Sequence, residues 1–187
     1  MLYFLPMDKT PHDYRVFVGA FPAGELAERI QAARLQHDAK TALITAPHVT
    51  MVGTYWRTGP ATPENESDAI ARLQAVQYKL QPFELALGGV ESFMPFNNVI
   101  YLRVERTAGL LAARKVLLDT LGPDRERRYI PHLTLTMRLD RGQTQALLKE
   151  LRQSEWHTGH WVVPLDHLWL MQRGTVDPAG ATSTKSA

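Results

Sequence analysis

The chain has 187 residues, of which 44% are hydrophobic and 21% are charged, and this is the composition of an ordinary globular protein. It contains no cysteine, which excludes a disulfide framework, a cysteine-ligated metal site and a thiol nucleophile. Lys and Arg total 21 against 19 Asp and Glu, so the net charge of +2 is too small to indicate nucleic-acid binding by itself. No apolar run approaches the roughly 18 residues of a membrane-spanning helix, and the N-terminus lacks the basic start of a signal peptide. We therefore expect a cytoplasmic protein without a membrane segment.

The two ends of the chain differ in composition from the rest. Residues 1–13 carry two prolines and no hydrophobic period, which predicts an N-terminal extension. Residues 173–187 are mostly Gly, Ala, Ser, Thr and Pro, which predicts a disordered C-terminal tail. The remaining residues, 14–172, have the length of a single domain.

Strands are predicted where β-branched and apolar residues alternate, and helices where apolar residues recur three or four positions apart. In chain order we predict strand 16–20, helix 26–37, strand 43–52, helix 70–80, strand 83–90, strand 99–104, helix 110–121, strand 130–137, helix 147–151 and strand 161–171. Thr107 is a candidate N-cap of the third helix, and Gly122 with Pro123 ends that helix. The order is two successive βαβαβ units.

The two units are related by a constant offset of 84 positions. The equivalent pairs are Val16 and Ile100, Phe17 and Tyr101, His48 and His132, and Thr50 and Thr134. One offset that serves strands and helices alike indicates an internal repeat. We predict two similar lobes, about 14–90 and 98–171, with a substrate cleft between them.

The strongest local signal is a duplicated histidine motif. Pro-His-Val-Thr-Met at 47–51 recurs as Pro-His-Leu-Thr-Leu at 131–135. In a strand, residues two positions apart point to the same side, so His48 projects with Thr50 and His132 with Thr134. If the two strands lie side by side, two imidazoles and two hydroxyls meet at one point.

Such a group of side chains suits the chemistry of phosphoesters. With an unperturbed pKa near 6.5, one imidazole can be neutral and act as a general base while the other is protonated and acts as a general acid. Threonine hydroxyls can donate hydrogen bonds to phosphate oxygens. A histidine motif of this kind on its own is more often structural than catalytic, but the matched pair makes His48, Thr50, His132 and Thr134 the candidate catalytic residues.

The surroundings of the two motifs suggest separate roles for the histidines. The second motif stands near Arg125, Arg127, Arg128 and Arg138, and nearby positive charge lowers the pKa of a histidine. The first motif has no such neighbours in the sequence. We therefore predict that His132 is the general base and His48 the general acid.

The motif pair, together with Tyr-Arg-Val-Phe-Val-Gly-Ala at 14–20 and the pattern Arg127-x-Tyr129-x-Pro131-His132, resembles the 2H phosphoesterase superfamily. Within it, the chain looks most like the bacterial LigT-like RNA 2′,3′-cyclic phosphodiesterases, also called 2′-5′ RNA ligases. The resemblance covers residues 14–172 and implies a bilobal α+β fold, with antiparallel sheets around a central groove and helices outside. It also implies metal-independent opening of a 2′,3′-cyclic phosphate to a 2′-phosphate, with weak reverse ligation in some members.

Several further residues are candidates for substrate binding. Arg127 and Arg138 could contact phosphates, and Arg138 stands one place beyond the position where members of the family often carry an arginine. The aromatic candidates for stacking on nucleobases are Tyr55, Phe93, Phe96 and Tyr129.

No metal or cofactor is expected. His157 and His160 have a spacing that metal sites use, but no third ligand stands beside them in the sequence. The expected partners are RNA with a 2′,3′-cyclic phosphate end or small cyclic nucleotides, bound by a monomer. The alternative from another class is a non-catalytic module that binds RNA ends or nucleotides in the same groove.

Overall fold

A computed structural model describes residues 15–53, 63–124 and 128–173. The helices in these ranges are α1 (Glu25–Ala42), α2 (Pro63–Val76), α3 (Ala108–Leu121), α4 (Arg141–Leu151) and α5 (Glu155–Thr158), and a 3₁₀ turn at Gln77–Lys79 follows α2. The strands are β1 (Arg15–Ala20), β2 (Val49–Val52), β3 (Phe83–Ser92), β4 (Ile100–Val104), β5 (His132–Thr136), β6 (His160–Leu165) and β7 (Trp169–Arg173). The predicted N-terminal extension and almost all of the predicted C-terminal tail lie outside the described residues. No helix of the described ranges is long and apolar enough to cross a membrane.

The strands form one seven-stranded sheet in the order β6-β3-β4-β5-β2-β1-β7. Every pair of neighbours is antiparallel, so the fold is α+β as predicted. Where antiparallel sheets around a groove were predicted, the structure has a single sheet, because β2 and β5 pair through Val49 and Leu133 and make it continuous. We call β2, β1 and β7 the first half of the sheet, and β6, β3, β4 and β5 the second half.

The last strand of each sequence repeat lies in the half of the sheet that carries the histidine motif of the other repeat. β3, which ends the first predicted lobe, pairs with β4 and β6 in the second half. β7, which ends the chain of described residues, pairs with β1 in the first half. The last strand of each repeat therefore pairs in the half of the sheet that carries the other repeat's motif, because alternation in a sequence does not specify a strand's partner.

Two of the predicted strands differ clearly from the observed ones. The strand predicted at 43–52 begins only at Val49, because side chains of α1 bind the carbonyl groups before it: Arg34 binds that of Thr45 and Gln31 that of Ala42. The strand predicted at 161–171 is interrupted at 166–168 and forms β6 and β7. The predicted ends of α3 are confirmed, since the Thr107 side chain accepts from the Leu110 N–H at 3.2 Å and Gly122 follows the last turn.

The alternation in β2 and β5 separates an apolar face from a polar one. Val49, Met51, Leu133 and Leu135 are almost fully buried and belong to the hydrophobic core. Each helix that covers this face packs on the strand of the other repeat, because α1 contacts β5 and α3 contacts β2. The opposite face carries the histidine and the threonine of each motif.

Candidate active site

The pairing of β2 with β5 brings the two histidine motifs together. Val49 lies opposite Leu133, and continuing this antiparallel register places His48 opposite Thr134 and Thr50 opposite His132. Directly opposite residues have Cβ atoms about 5 Å apart, and diagonal pairs such as the two histidines about 7–8 Å apart. The four side chains therefore share one side of the sheet, which we call the histidine face.

Both imidazoles are oriented in the same way by the backbone. Nδ1 of His48 donates to the carbonyl of Ala46 at 2.9 Å, and Nδ1 of His132 donates to that of Ile130 at 2.8 Å. Because a carbonyl only accepts, Nδ1 carries the proton and a neutral ring has an unprotonated Nε2. Within the described parts of the chain no hydrogen bond engages either Nε2, so both nitrogens are available to a substrate.

The pKa values of both histidines are lowered from 6.5. Burial is the main cause for each ring, and the hydrogen bond to the backbone carbonyl acts in the opposite direction. Positive charge from Arg34 and from His132 lowers the pKa of His48 further. Among the described residues no arginine acts on His132. Arg128 and Arg138 therefore do not supply the charge on which the assignment of the histidine roles rested, and Arg125 and Arg127 lie outside the described residues.

Aromatic side chains pack against each imidazole ring. The rings of Phe17 and Phe21 lie 5.0 and 5.1 Å from that of His48. The rings of Tyr101 and Phe93 lie 5.2 and 4.9 Å from that of His132. Phe17 and Tyr101 are equivalent in the repeat, so the packing of the histidines follows the internal symmetry.

The two threonines combine a fixed backbone with an uncommitted hydroxyl. Thr50 and Thr134 are half-buried, and neither hydroxyl is hydrogen-bonded to any residue in the described ranges. The carbonyl of Thr50 accepts from the Tyr129 hydroxyl at 3.1 Å. Each threonine can therefore donate a hydrogen bond to an anion on the histidine face.

The predicted substrate-binding residues do not all lie at the same distance from the two histidines. Phe93 packs edge-on against His132, and Phe96 is 93% exposed in the loop after β3. Arg138 is exposed just beyond the end of β5. Arg127 and Tyr55 lie outside the described residues.

Tyr129, a predicted stacking residue, has contacts that support the strand β2. The guanidinium carbon of Arg114 lies 4.0 Å from the centre of the Tyr129 ring and covers one of its faces. Burial raises the pKa of Tyr129 to about 12, so the hydroxyl stays protonated and donates to Thr50. We therefore assign Tyr129 to the positioning of β2.

Two carboxylates, Asp38 and Asp124, bind backbone N–H groups just beyond the ends of β5 and β2. Asp38 of α1 accepts from the N–H groups of Met137 and Arg138, each at 2.9 Å. Asp124 accepts from the N–H of Gly53 at 3.4 Å. Gly53 and Met137 are equivalent in the repeat, so each strand end is held by a carboxylate from the other repeat.

Two buried arginines complete this support. Arg114 forms an ion pair with Asp124 at 2.9 Å. Arg34 donates to the carbonyls of Thr45 and Thr41 at 2.9 and 3.2 Å, which fixes the segment that leads to His48. Sequence reasoning missed these residues, because charged residues in helices are mostly solvent-exposed and no local pattern marks a buried one.

His157 and His160 serve other contacts. Nδ1 of His157 accepts from the N–H of Val90 at 3.1 Å, and Nε2 of His160 pairs with Glu105 at 3.2 Å. In the described part of the chain, no three His, Asp or Glu side chains are grouped as a metal site would require.

Comparison with known proteins identifies relatives over most of the chain. A protein from Bacillus cytotoxicus, named as a candidate phosphoesterase, is 30% identical over 139 residues, which are 73% of this chain and 77% of that protein. A protein of the same description from Bacillus cereus is 28% identical over 83% of this chain and 88% of its own length.

The fold is also similar to solved structures. The crystal structure of Escherichia coli LigT with ATP matches with a TM-score of 0.56 and 18% identity, over 87% of this chain and 93% of LigT. LigT with 3′-AMP matches with a TM-score of 0.54 and 16% identity, over 87% and 94% of the two chains. A family model described as the 2′-5′ RNA ligase superfamily matches residues 22–177. The chain therefore belongs to the 2′-5′ RNA ligase superfamily, as its resemblance to LigT-like 2H phosphoesterases predicted.

Proposed function

We propose that the protein hydrolyses 2′,3′-cyclic phosphate ends of RNA or of nucleotides to 2′-phosphates without a metal ion. His48 and His132 act as the acid-base pair, Thr50 and Thr134 bind the phosphate, and one chain supplies the whole site. The observation that carries this proposal is the matched pair of imidazoles on one face, each with Nδ1 bound to a backbone carbonyl and Nε2 uncommitted.

The reaction needs one neutral and one protonated histidine. The neutral ring accepts a proton from water at Nε2 as the water oxygen attacks phosphorus. The bond between phosphorus and the 3′ oxygen breaks, and the second ring donates its proton to that oxygen. The products are a 2′-phosphate and a 3′-hydroxyl, and proton exchange with solvent restores both rings.

The threonines and the buried rings favour this reaction. Hydroxyl donors that already face the phosphate stabilise the charge that develops on its oxygens. Because burial lowers the pKa of both histidines, a neutral base is available near pH 7, and the negative phosphate favours protonation of the other ring.

The same bond breakage accounts for reverse ligation. If a 5′-hydroxyl replaces water as the attacking group, loss of the 3′ oxygen leaves the phosphate between a 2′ and a 5′ oxygen. The proposal therefore includes weak 2′-5′ ligation, which agrees with the name of the superfamily. The LigT structures with 3′-AMP and ATP further support nucleotides as ligands of this fold.

The test is a product assay in the presence of a chelator. Purified protein with EDTA is incubated with nucleoside 2′,3′-cyclic monophosphates, and the products are separated by anion exchange. We expect the nucleoside 2′-phosphate to accumulate. Tight binding without turnover would contradict the proposal and favour the non-catalytic module, and a requirement for added metal would contradict the metal-independent mechanism.

A further inference from the structure

Arg103 lies on the histidine face beside the candidate active site. It is on β4 directly opposite His132 of β5, and directly opposite residues point to the same side of a sheet. Tyr101, two positions earlier on the same strand, contacts the His132 ring from this side. The side chain of Arg103 is exposed, so a ligand on the histidine face can reach it.

The Arg103 side chain extends away from His132 and over β3. Its guanidinium atoms lie 3.8–3.9 Å from the point where Gly89 of β3 would carry a Cβ atom. Gly89 has a φ of 78°, a conformation that glycine adopts without strain, and its lack of a side chain leaves the guanidinium accessible above the strand.

In the described parts of the chain, no acidic side chain neutralises this guanidinium. Among the described residues Arg103 forms neither an ion pair nor a hydrogen bond through its side chain, although two carboxylates are near it in the sheet. Glu105 pairs with His160 at 3.2 Å. Glu91 lies opposite Tyr101, whose pKa is raised mainly by burial and further by the charge of Glu91, and Glu91 forms no ion pair with Arg103.

The position equivalent to Arg103 in the first half of the sheet carries no charged side chain. Eighty-four positions before Arg103 stands Gly19, where a Cβ atom would meet the rings of Phe21 at 2.7 Å and Phe17 at 3.2 Å. The histidine face is therefore aromatic beside His48 and cationic beyond His132. An asymmetric face of this kind suits a ligand with an uncharged aromatic part and more than one anionic group.

The position of Arg103 separates it from the reacting phosphate. That phosphate, in the proposed function, lies between β5 and β2, whereas the guanidinium lies over β3 on the far side of β4. At about 4.8 Å per strand, the two places are roughly 10–12 Å apart, which exceeds the reach of a hydrogen bond.

We propose that Arg103 binds a second phosphate of the substrate, the one that joins the terminal nucleotide to the preceding nucleotide of an RNA chain. This inference rests on the proposed function and narrows its substrate class. The protein then prefers an RNA end over a nucleoside 2′,3′-cyclic monophosphate, because only the RNA end carries a phosphate at the Arg103 position.

The test compares two substrates in matched variants. One substrate is a nucleoside 2′,3′-cyclic monophosphate, and the other is a dinucleotide that ends in the same cyclic phosphate. Arg103→Gln removes the charge, Arg103→Lys keeps it, and Arg152→Gln removes an exposed charge at the end of α4 as a control. The binding of both product 2′-phosphates is measured as well, because binding does not require turnover.

We expect Arg103→Gln to lower kcat/KM for the dinucleotide about tenfold, as the loss of a charge-assisted contact does, and to leave the mononucleotide unchanged. Arg103→Lys retains part of the preference, and Arg152→Gln retains all of it. For the binding of the dinucleotide product, the salt dependence of log K falls in slope by about 0.7 in Arg103→Gln, as expected for one lost phosphate contact to a single strand.

Two results would overturn the inference. An equal loss on both substrates would place Arg103 at the reacting phosphate, and no loss on either would remove it from the site. A failure of the proposed function is distinguishable, because wild-type protein would then hydrolyse neither substrate. Binding of the two product 2′-phosphates would still decide whether Arg103 recognises the second phosphate.

Discussion

Each histidine of the site has its proton placed by the main chain rather than by a carboxylate. The carbonyl two residues before each ring accepts from Nδ1, so the tautomer is fixed by the backbone at Ala46 and Ile130. Burial then favours the neutral ring. A neutral ring with a free Nε2 is the form in which a histidine accepts a proton from water.

The buried rings predict a pH dependence of stability. The pKa of His132 is below 6.5 in the folded state, so the unfolded chain binds a proton first as the pH falls. The stability that His132 contributes is therefore complete above about pH 6.5 and is lost as the pH falls below that value. We expect His132→Gln to lose less free energy of unfolding than wild type between pH 7 and pH 5, measured by urea unfolding. An equal or larger loss in the variant would contradict this account.

The proposed role of the threonine hydroxyls predicts that replacing threonine with valine lowers activity and that replacing it with serine does not. Thr50→Val and Thr134→Val keep the shape of the side chain but remove the donor to phosphate. We expect each to cost about 2–4 kcal/mol of transition-state stabilisation in kcat/KM. Thr50→Ser and Thr134→Ser keep the hydroxyl and are the controls. Full activity of both valine variants would show that the phosphate is held by other groups.

The elements around the site are connected across the two halves of the sheet. β2 and β5 share one paired position, Val49 with Leu133. Additional contacts between the halves come from two helices that each pack on the strand of the other repeat, since α1 packs on β5 and α3 on β2. Asp38 and Asp124 add hydrogen bonds to the main chain just after each strand, so the strand that carries one motif is held by the helix or loop of the other repeat.

The buried carboxylate Asp124 predicts a large effect on stability. Asp124→Asn breaks its ion pair with Arg114, whose side chain is 11% exposed and keeps its charge. We expect a loss of about 3–5 kcal/mol in the free energy of unfolding, because a buried charge is left without its partner. The matched control is Asp119→Asn, which breaks the exposed pair with Lys115 and should change stability by at most about 0.5 kcal/mol. Equal effects of the two changes, measured by urea unfolding, would contradict the support assigned to Asp124.

The carboxylate of Asp38 predicts how the stability of the protein depends on pH in acid. Burial acts to raise the pKa of Asp38, but hydrogen bonds from Thr41, Met137 and Arg138 outweigh it and hold the pKa below 3.8. Its contribution to stability is therefore present above about pH 3.8 and is lost as the pH falls further. We expect Asp38→Asn to be less sensitive than wild type to acid below pH 4, by circular dichroism. Identical acid transitions would show that Asp38 does not stabilise the end of β5 as a carboxylate.

On the scale of the whole molecule, one site is built from two repeats of the same motif. The offset of 84 positions was enough to predict that His48 and His132 belong together, and the equivalent Phe17 and Tyr101 both contact these rings. Alternation in the motifs also predicted which side chains share a face, because the period of a strand is two. Neither half of the sheet contains both motifs, so the continuous sheet is needed to assemble the site.

Other parts of the structure had no signal in the sequence. The exchange of β3 and β7 depends on long-range pairing, which the pattern within a strand does not encode. Arg34, Asp38 and Asp124 are charged residues whose burial depends on carbonyl, N–H and guanidinium partners distant in the sequence or supplied by loops. Arg103 occupies an ordinary polar position of β4, and only the register opposite His132 places it beside the site.

The central claim is that His48 and His132 act as one catalytic unit, and the most direct test measures kcat for both alanine variants and for the double variant. Residues that act in one step have strongly non-additive effects. We predict that His48→Ala and His132→Ala each lower kcat for a 2′,3′-cyclic nucleotide at least about 100-fold, and that the double variant is close to the worse of the two. Full activity in either single variant, or losses that multiply in the double variant, would contradict the shared site.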